Sequence, residues 1–216
     1  MPTARARDRR SGRAVDEAVP DAAAGRRAQI ADLRRQQILD AAEACFRQRG
    51  FHNASMAEIA KSFGMSAGHI YNYFKSKEEI IAGIVQRDVD EFLARAGELH
   101  RERDMQRALL DRVDDGVADK LNPSKAARQF EVMAEAGRNP QVLQMVQAAD
   151  AQVRSVLREM FRQTHPDGHS GRDLDGKVAV LMALFDGLML RGLRNPDLNR
   201  AQVTRVLRSV IAQMMR

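Results

Sequence analysis

The sequence predicts an all-α protein of about nine helices, with an N-terminal three-helix unit that contains a helix-turn-helix and a larger C-terminal helical domain. Three observations carry that prediction. Apolar residues recur at helical spacing along most of the chain, as at Ile38, Ala42, Cys45 and Phe46. Start and stop residues punctuate these stretches, with Ser55, Ser76, Asn122-Pro123 and Asn139-Pro140 at starts and Gly50, Gly64 and Gly137 at ends. No long alternating run of Val, Ile and Thr offers a strand.

The 216 residues are 44% apolar and 30% charged, a globular composition. With 5% aromatic residues and no Trp, the core has to be assembled mainly from Ala, Val, Leu, Ile and Met. Lys and Arg outnumber Asp and Glu by 35 to 29, and the net charge of +6 fits a nucleic-acid partner without requiring one. A single cysteine, Cys45, excludes an internal disulfide. No apolar run approaches the roughly 20 residues of a membrane span. The N-terminus is Arg-rich but lacks the apolar segment of a secretory signal, so a cytoplasmic protein without a membrane partner is expected.

Residues 1–27 hold seven Arg and almost no large apolar side chains, so burial cannot offset the entropy of ordering them. A disordered basic tail is expected there, or a start codon assigned too early. The alternative is an arm that follows DNA phosphates.

The first helix is expected over 28–49, stopped by Gly50. Ser55-Met-Ala-Glu58 reads as a capping box that opens a short helix ending at Gly64, and Ser66 caps the next. Ser76-Lys-Glu-Glu79 is a second capping box for a long helix to His100. A fifth helix is expected over 104–120. Asn122-Pro123 and Asn139-Pro140 open two more, the second with Val142, Val146, Ala149, Val153, Val156 and Met160 on one stripe. His165–Gly171 reads as a loop. Residues 173–194 are apolar almost all round, as for a helix buried in a core or against a partner. Asn199 and Gln202 then cap a last helix.

In the segment MAEIAKSFGMSAGHIYNYFKSKEEI (56–80), Met56, Ile59, Ala60 and Phe63 form the inner face of the first short helix. Ala60 permits close approach, Gly64 can take a positive φ, and Met65 can plug the corner. Ile70, Phe74 and one edge of Tyr73 face inward on the second helix, of about two turns. Ala67, Gly68, His69, Tyr71 and Asn72 are left facing outward. That set suits a DNA groove. The two small residues allow close approach, His69 and Asn72 can bond base edges, and Tyr71 can donate to a phosphate. The N-terminus at Ser55 can hold a second phosphate, and Lys75 and Lys77 add charge beside the groove.

The stretch ILDAAEACFRQRGFHNASMAEIAKSFGMSAGHIYNYFKSKEEIIAGIV (38–85) resembles the signature of the TetR family of bacterial transcriptional regulators. The resemblance implies a helix-turn-helix domain over 28–76 and a ligand-binding and dimerisation domain over 77–216. It implies phosphate contacts from Ser55, Tyr71 and Lys77, and base-facing positions at Ala67, Gly68, His69 and Asn72, with Ser66 at the helix start. Ser55 stands where threonine is commoner in the family and keeps the hydroxyl. The tail before residue 28 is outside the family pattern, and the likeness beyond residue 86 is weaker.

For the second domain, the resemblance implies that the last two helices pair with those of another subunit. Gly187 and Gly192 would permit close approach, and Val203, Val206, Leu207, Val210, Ile211 and Met214 would supply the stripe. The alternative is that both stripes are internal core. Phe92, Phe130, Met133, Met145, Met182, Phe185 and Met189 are candidates to line an adaptable effector cavity. Asp186, an isolated carboxylate in that apolar helix, is expected to pair with Arg191 or Arg194, or to make a buried hydrogen bond. Its alternative role is to hold a polar or cationic ligand. His165 and His169 lack a convincing third metal ligand, Cys45 reads as a buried small hydrophobe, and no catalytic motif occurs; no metal, cofactor or enzymatic activity is expected.

The expected function is a ligand-responsive dimeric repressor that binds a palindromic double-stranded operator and is released by a small molecule. The rivals are a helical small-molecule-binding protein with a vestigial reading domain, a nonspecific DNA-coating protein driven by the tail, and an activator or corepressor-dependent regulator.

Overall fold

A computed structural model of the chain describes residues 22–164 and 171–215. The expectations for residues 1–21 and for His165 and His169 lie outside the described residues. Ten helices and no strand are present among the described residues: α1 (Ala22–Asn53), α2 (Met56–Ser62), α3 (Ala67–Ile70), α4 (Lys77–Leu99), α5 (Met105–Asp111), α6 (Val113–Lys120), α7 (Pro123–Ala136), α8 (Pro140–Gln163), α9 (Gly171–Arg194) and α10 (Arg200–Met214).

Two boundaries differ from expectation. The first helix begins at Ala22, so residues 22–27 do not belong to a disordered tail. Its first turns are rich in Ala and Arg, and intrinsic propensity rather than burial accounts for them. Ile30 and Leu33 are each 60% exposed. The chain divides into two compact units after Gln36, and the exposed start of α1 belongs to the first. Secondly, the helix expected over 104–120 breaks at Arg112, which ends α5 and begins α6 with a backbone near φ −86°, ψ −1°. Past the break, Val113 and Val117 are buried in the core shared with α9 and α10.

The caps formed where local chemistry placed them. Asn122, Asn139 and Asn199 each accept backbone N–H bonds from the helices they open, and Pro stands at the first position after Asn122 and Asn139. Ser76 accepts from the Glu79 N–H at 3.2 Å, but the Glu79 carboxylate returns to the Lys75 N–H rather than to Ser76, so this box is shifted by one residue. Gly50 and Gly64 are the positive-φ residues among those described, at 74° and 71°. At Gly50 (ψ 159°) the helix kinks, and the following turn seats Phe51 edge-on to Phe46 at 5.2 Å.

Three hydrophobic clusters organise the second unit. The first joins α1–α4 through Ile38, Ile59, Ile70, Phe74, Ile80 and Ile84 and is completed by Ala136 of α7 and Val142 of α8. The second joins α6, α8, α9 and α10 around Val117, Phe161, Leu181, Leu207 and Ile211. The third sets Ala96 and Leu99 of α4 against Met160 of α8. α8 is the central element, packed on α4, α7 and α9.

Replacing Gly50 with Ala would force a side chain into a backbone region that L-residues avoid. The expected cost is about 1–3 kcal/mol, read as a lower thermal midpoint.

Candidate nucleic-acid interface and effector domain

The helix-turn-helix is built from local bonds. Ser55 closes a complete capping box: its hydroxyl accepts from the Glu58 N–H, and its own N–H donates to the Glu58 carboxylate at 2.8 Å. The N–H groups of Ser55 and Glu58 are therefore both taken up by the box. The Ser55 N–H and hydroxyl hold the Glu58 carboxyl below its usual range, and Arg49 ion-pairs with it. At the corner, the Ala60 carbonyl accepts from Phe63 at 3.2 Å and from Met65 at 2.8 Å, so Met65 is drawn inward.

Ser66 caps α3 by accepting from the His69 N–H at 3.3 Å. The helix proper is only Ala67–Ile70, shorter than expected. Tighter turns carry it on, with the Asn72 N–H donating to His69 and the Tyr73 N–H to Ile70. Ile70 and Phe74 are fully buried, whereas Ser66, Ala67, Gly68, His69, Tyr71 and Asn72 are exposed, Tyr71 by 45%. The His69 ring stacks on Tyr73 at a centroid separation of 5.8 Å. The inward and outward sets are those expected from sequence.

The two lysines differ. Lys75 is exposed, with its ammonium on the Tyr71 carbonyl at 2.7 Å. Lys77 is half-buried and reaches back 2.9 Å to the Phe51 carbonyl and 3.4 Å to that of His52, with its ammonium 4.5 Å from the Phe51 ring centroid. It therefore caps the end of α1 and ties it to the start of α4. That placement gives Lys77 a structural role besides the phosphate contact expected of it. Sequence gave no sign of it, because the carbonyls lie about 25 residues away.

In the C-terminal region, α9 buries Val178, Leu181 and Met189 and exposes Val180 (54%), Leu184, Leu190 and Leu193. Gly187 has open space at its Cα. On α10, Val206 is 59% exposed and Val210 is half-buried. Leu207 and Ile211 are buried in the chain's own core, which removes them from the partner-facing set, and the half-buried Val203 and Met214 pack against that core. Gly192 is removed as well, because the Leu121 side chain lies 2.8 Å from where its Cβ would be.

The cavity candidates separate in the same way. Met133 is 50% exposed and Met189 is buried. Phe185 lies over Gly116, whose missing side chain makes room for the ring. Phe92, Phe130, Met145 and Met182 are half-buried. Asp186 is exposed and pairs with Lys120 of α6 at 2.9 Å, not with Arg191 or Arg194. Burial pushes the Cys45 thiol up, with Glu58 adding in the same direction, so it is disfavoured as a reactive thiolate. The structure shows a small cleft elsewhere, between α1, α4 and α7, lined by Phe46, Phe51, Ile81, Ile84, Arg128 and Glu131 among others.

That cleft borders an ion-pair cluster the sequence did not disclose. Arg128 of α7 contacts Glu43 of α1 at 3.0 Å and Asp88 of α4 at 2.7 Å. Arg87 pairs with Asp40 at 2.7 Å and with Glu43. Burial raises the Asp88 carboxyl above its ordinary range, and Arg128 partly offsets this.

A helix-turn-helix with exposed reading residues, joined through a long α4 to a helical domain, defines a DNA-binding regulator. Residues 38–84 match the family described as bacterial regulatory proteins, tetR family, and residues 103–216 match the C-terminal region of the BetI-type transcriptional repressor. The chain belongs to the TetR family of bacterial transcriptional regulators and is a DNA-binding regulator of that family. It is 30% identical over 186 residues to the HTH-type transcriptional regulator UidR of Escherichia coli strain K12, covering 84% of this chain and 92% of UidR. Salmonella enterica GusR has a similar structure, with a TM-score of 0.69 and 26% identity over 84% of this chain and 94% of GusR. FadR of Bacillus subtilis, solved with stearoyl-CoA, shares the fold at a TM-score of 0.70 and 18% identity, covering 82% of this chain and 97% of FadR. Among the described residues, no helix is long and apolar enough to cross a membrane.

Two substitutions separate reading from scaffolding. Asn72→Ala should leave thermal stability unchanged and relax preference at one base-pair position at a cost of about 1–3 kcal/mol. Lys77→Ala should weaken binding to all sequences alike and also lower stability by about 1 kcal/mol, because two α1 carbonyls lose their donor. Competition binding on a panel of single-base operator variants, paired with thermal melts, distinguishes the two.

Proposed function

We infer that the protein acts as a homodimer on a palindromic operator and that a small-molecule inducer binding the C-terminal domain releases it. The observation that carries this reading is the outward display of Ala67, Gly68, His69, Tyr71 and Asn72 on a capped, buried-backed α3. Their small and hydrogen-bonding side chains suit base edges and phosphates, and would have no other partner on that face. Two such heads would meet successive major grooves about 34 Å apart. Its action is binding rather than catalysis, and its place is the cytoplasm, with the DNA.

Dimerisation is supported by the exposed aliphatic side chains of α9 and α10, whose other faces already lie in the chain's core. The half-buried Phe92, Phe130, Met145 and Met182 remain the candidates for effector contact. An inducer must bind the DNA-competent and released states with different affinity.

Binding to the DNA upstream of the protein's own gene, against scrambled competitor at physiological salt, tests the reading. Tight binding that survives competitor is expected, because phosphate contacts alone lose affinity steeply as salt rises. Equal binding to both DNAs would reject the operator assignment. Leu184→Glu should weaken the dimer by about 30-fold or more, seen by sedimentation as a shift to monomer.

A further inference from the structure

We propose that Arg128 is the latch by which α7 holds the reading head, joining α1 and α4 to the effector domain; this rests on the regulator reading above. Four observations lead there.

The first is the geometry of the guanidinium. One terminal nitrogen lies on both oxygens of Glu43, at 3.0 and 3.1 Å, and the other lies 2.7 Å from Asp88. Arg128 therefore bridges two helices of the head instead of forking onto one carboxylate. The second is the use made of the group: its contacts come from the two terminal nitrogens, each on a different helix, while the buried Nε makes no hydrogen bond within the chain.

The third is redundancy. Glu43 also has Arg87, which is anchored on Asp40. Charge compensation of Glu43 therefore does not need α7, and what Arg128 adds is a connection. Without it, Glu43 keeps Arg87 whereas Asp88 loses its direct ion-pair partner. The fourth is the setting of α7. The face carrying Arg128, Glu131, Val132, Glu135 and Ala136 lies along α1. Val132 packs on the head's core and Ala136 is part of it, and the Glu135 carboxylate is 3.3 Å from the His52 imidazole. The helix also packs on α8 and α9. A helix shift of about 2 Å would carry the Glu43 contact beyond ion-pair range.

The test uses the full chain with Arg128→Met, Arg128→Lys, Glu43→Gln and the Glu43→Gln/Arg128→Met double variant. Two quantities are read: amide hydrogen exchange over residues 38–53, with residues 200–214 as internal reference, and affinity for the upstream DNA. In Arg128→Met, exchange in 38–53 should rise relative to the reference, and DNA affinity should fall by about five-fold or more. Arg128→Lys should be intermediate. The double variant should be no worse than the more affected single variant, as for two ends of one link. Unchanged exchange in 38–53, an equal rise in the reference segment, unchanged or tighter DNA binding, or additive effects would each overturn the latch. If Arg128→Met does not fold, Arg128→Lys and Glu43→Gln carry the same comparison. Failure of the regulator reading looks different: the wild-type protein would not prefer upstream over scrambled DNA, and exchange alone would then decide whether the latch exists.

Discussion

The helix-turn-helix head does not close its hydrophobic core alone. Ile38, Ile59, Ile70, Phe74 and Ile80 come from α1–α4, but Ala136 and Val142 close the same cluster from the corner between α7 and α8. Close-packed interiors transmit displacement because they contain little free volume. A shift at that corner therefore cannot be absorbed locally and has to be taken up by the helices that set α3. The caps, the kink at Gly50 and the Lys77 tie refine a geometry that this shared core already imposes.

Charge serves the inside of the protein as much as its surface. Arg49, Arg87, Arg128, Lys120 and Lys125 each have a carboxylate partner on another helix or turn. Arg200 and Thr204 of α10 likewise bond Asp114 of α6, whose carboxyl the Arg200 hydrogen bond holds below its ordinary range. The formal +6 is thus a poor measure of the field near the groove. What matters there is the local placement of Lys75 and of the exposed polar groups on α3.

Features decided within a few residues were legible in the sequence. The capping box at Ser55, the Asn-Pro starts, the positive φ at Gly64 and the inward and outward faces of α3 depend on neighbours two to five residues away. Features decided across the fold were not. Glu43 and Arg128 are 85 residues apart, and Lys120 and Asp186 are 66 apart. No local pattern pairs them. Periodicity also marks the apolar residues of α10 without telling which belong to this chain's core, as Leu207 and Ile211 do. The break at Arg112 escaped because both halves of that stretch carry helical spacing and no Gly or Pro separates them.

The exposed stripe of α9 has a consequence for fidelity among related proteins. Val180, Leu184 and Leu190 are aliphatic, and Gly187 between them contributes no shape of its own. Such a surface attracts a twin but holds little information about identity, since another aliphatic stripe would fit nearly as well. In the proposed dimer, discrimination falls to the charges at its margin: Asp186 with its Lys120, and the exposed Arg191 and Arg194. In a cell that makes several regulators of this fold, those few side chains would keep subunits from exchanging between unrelated circuits.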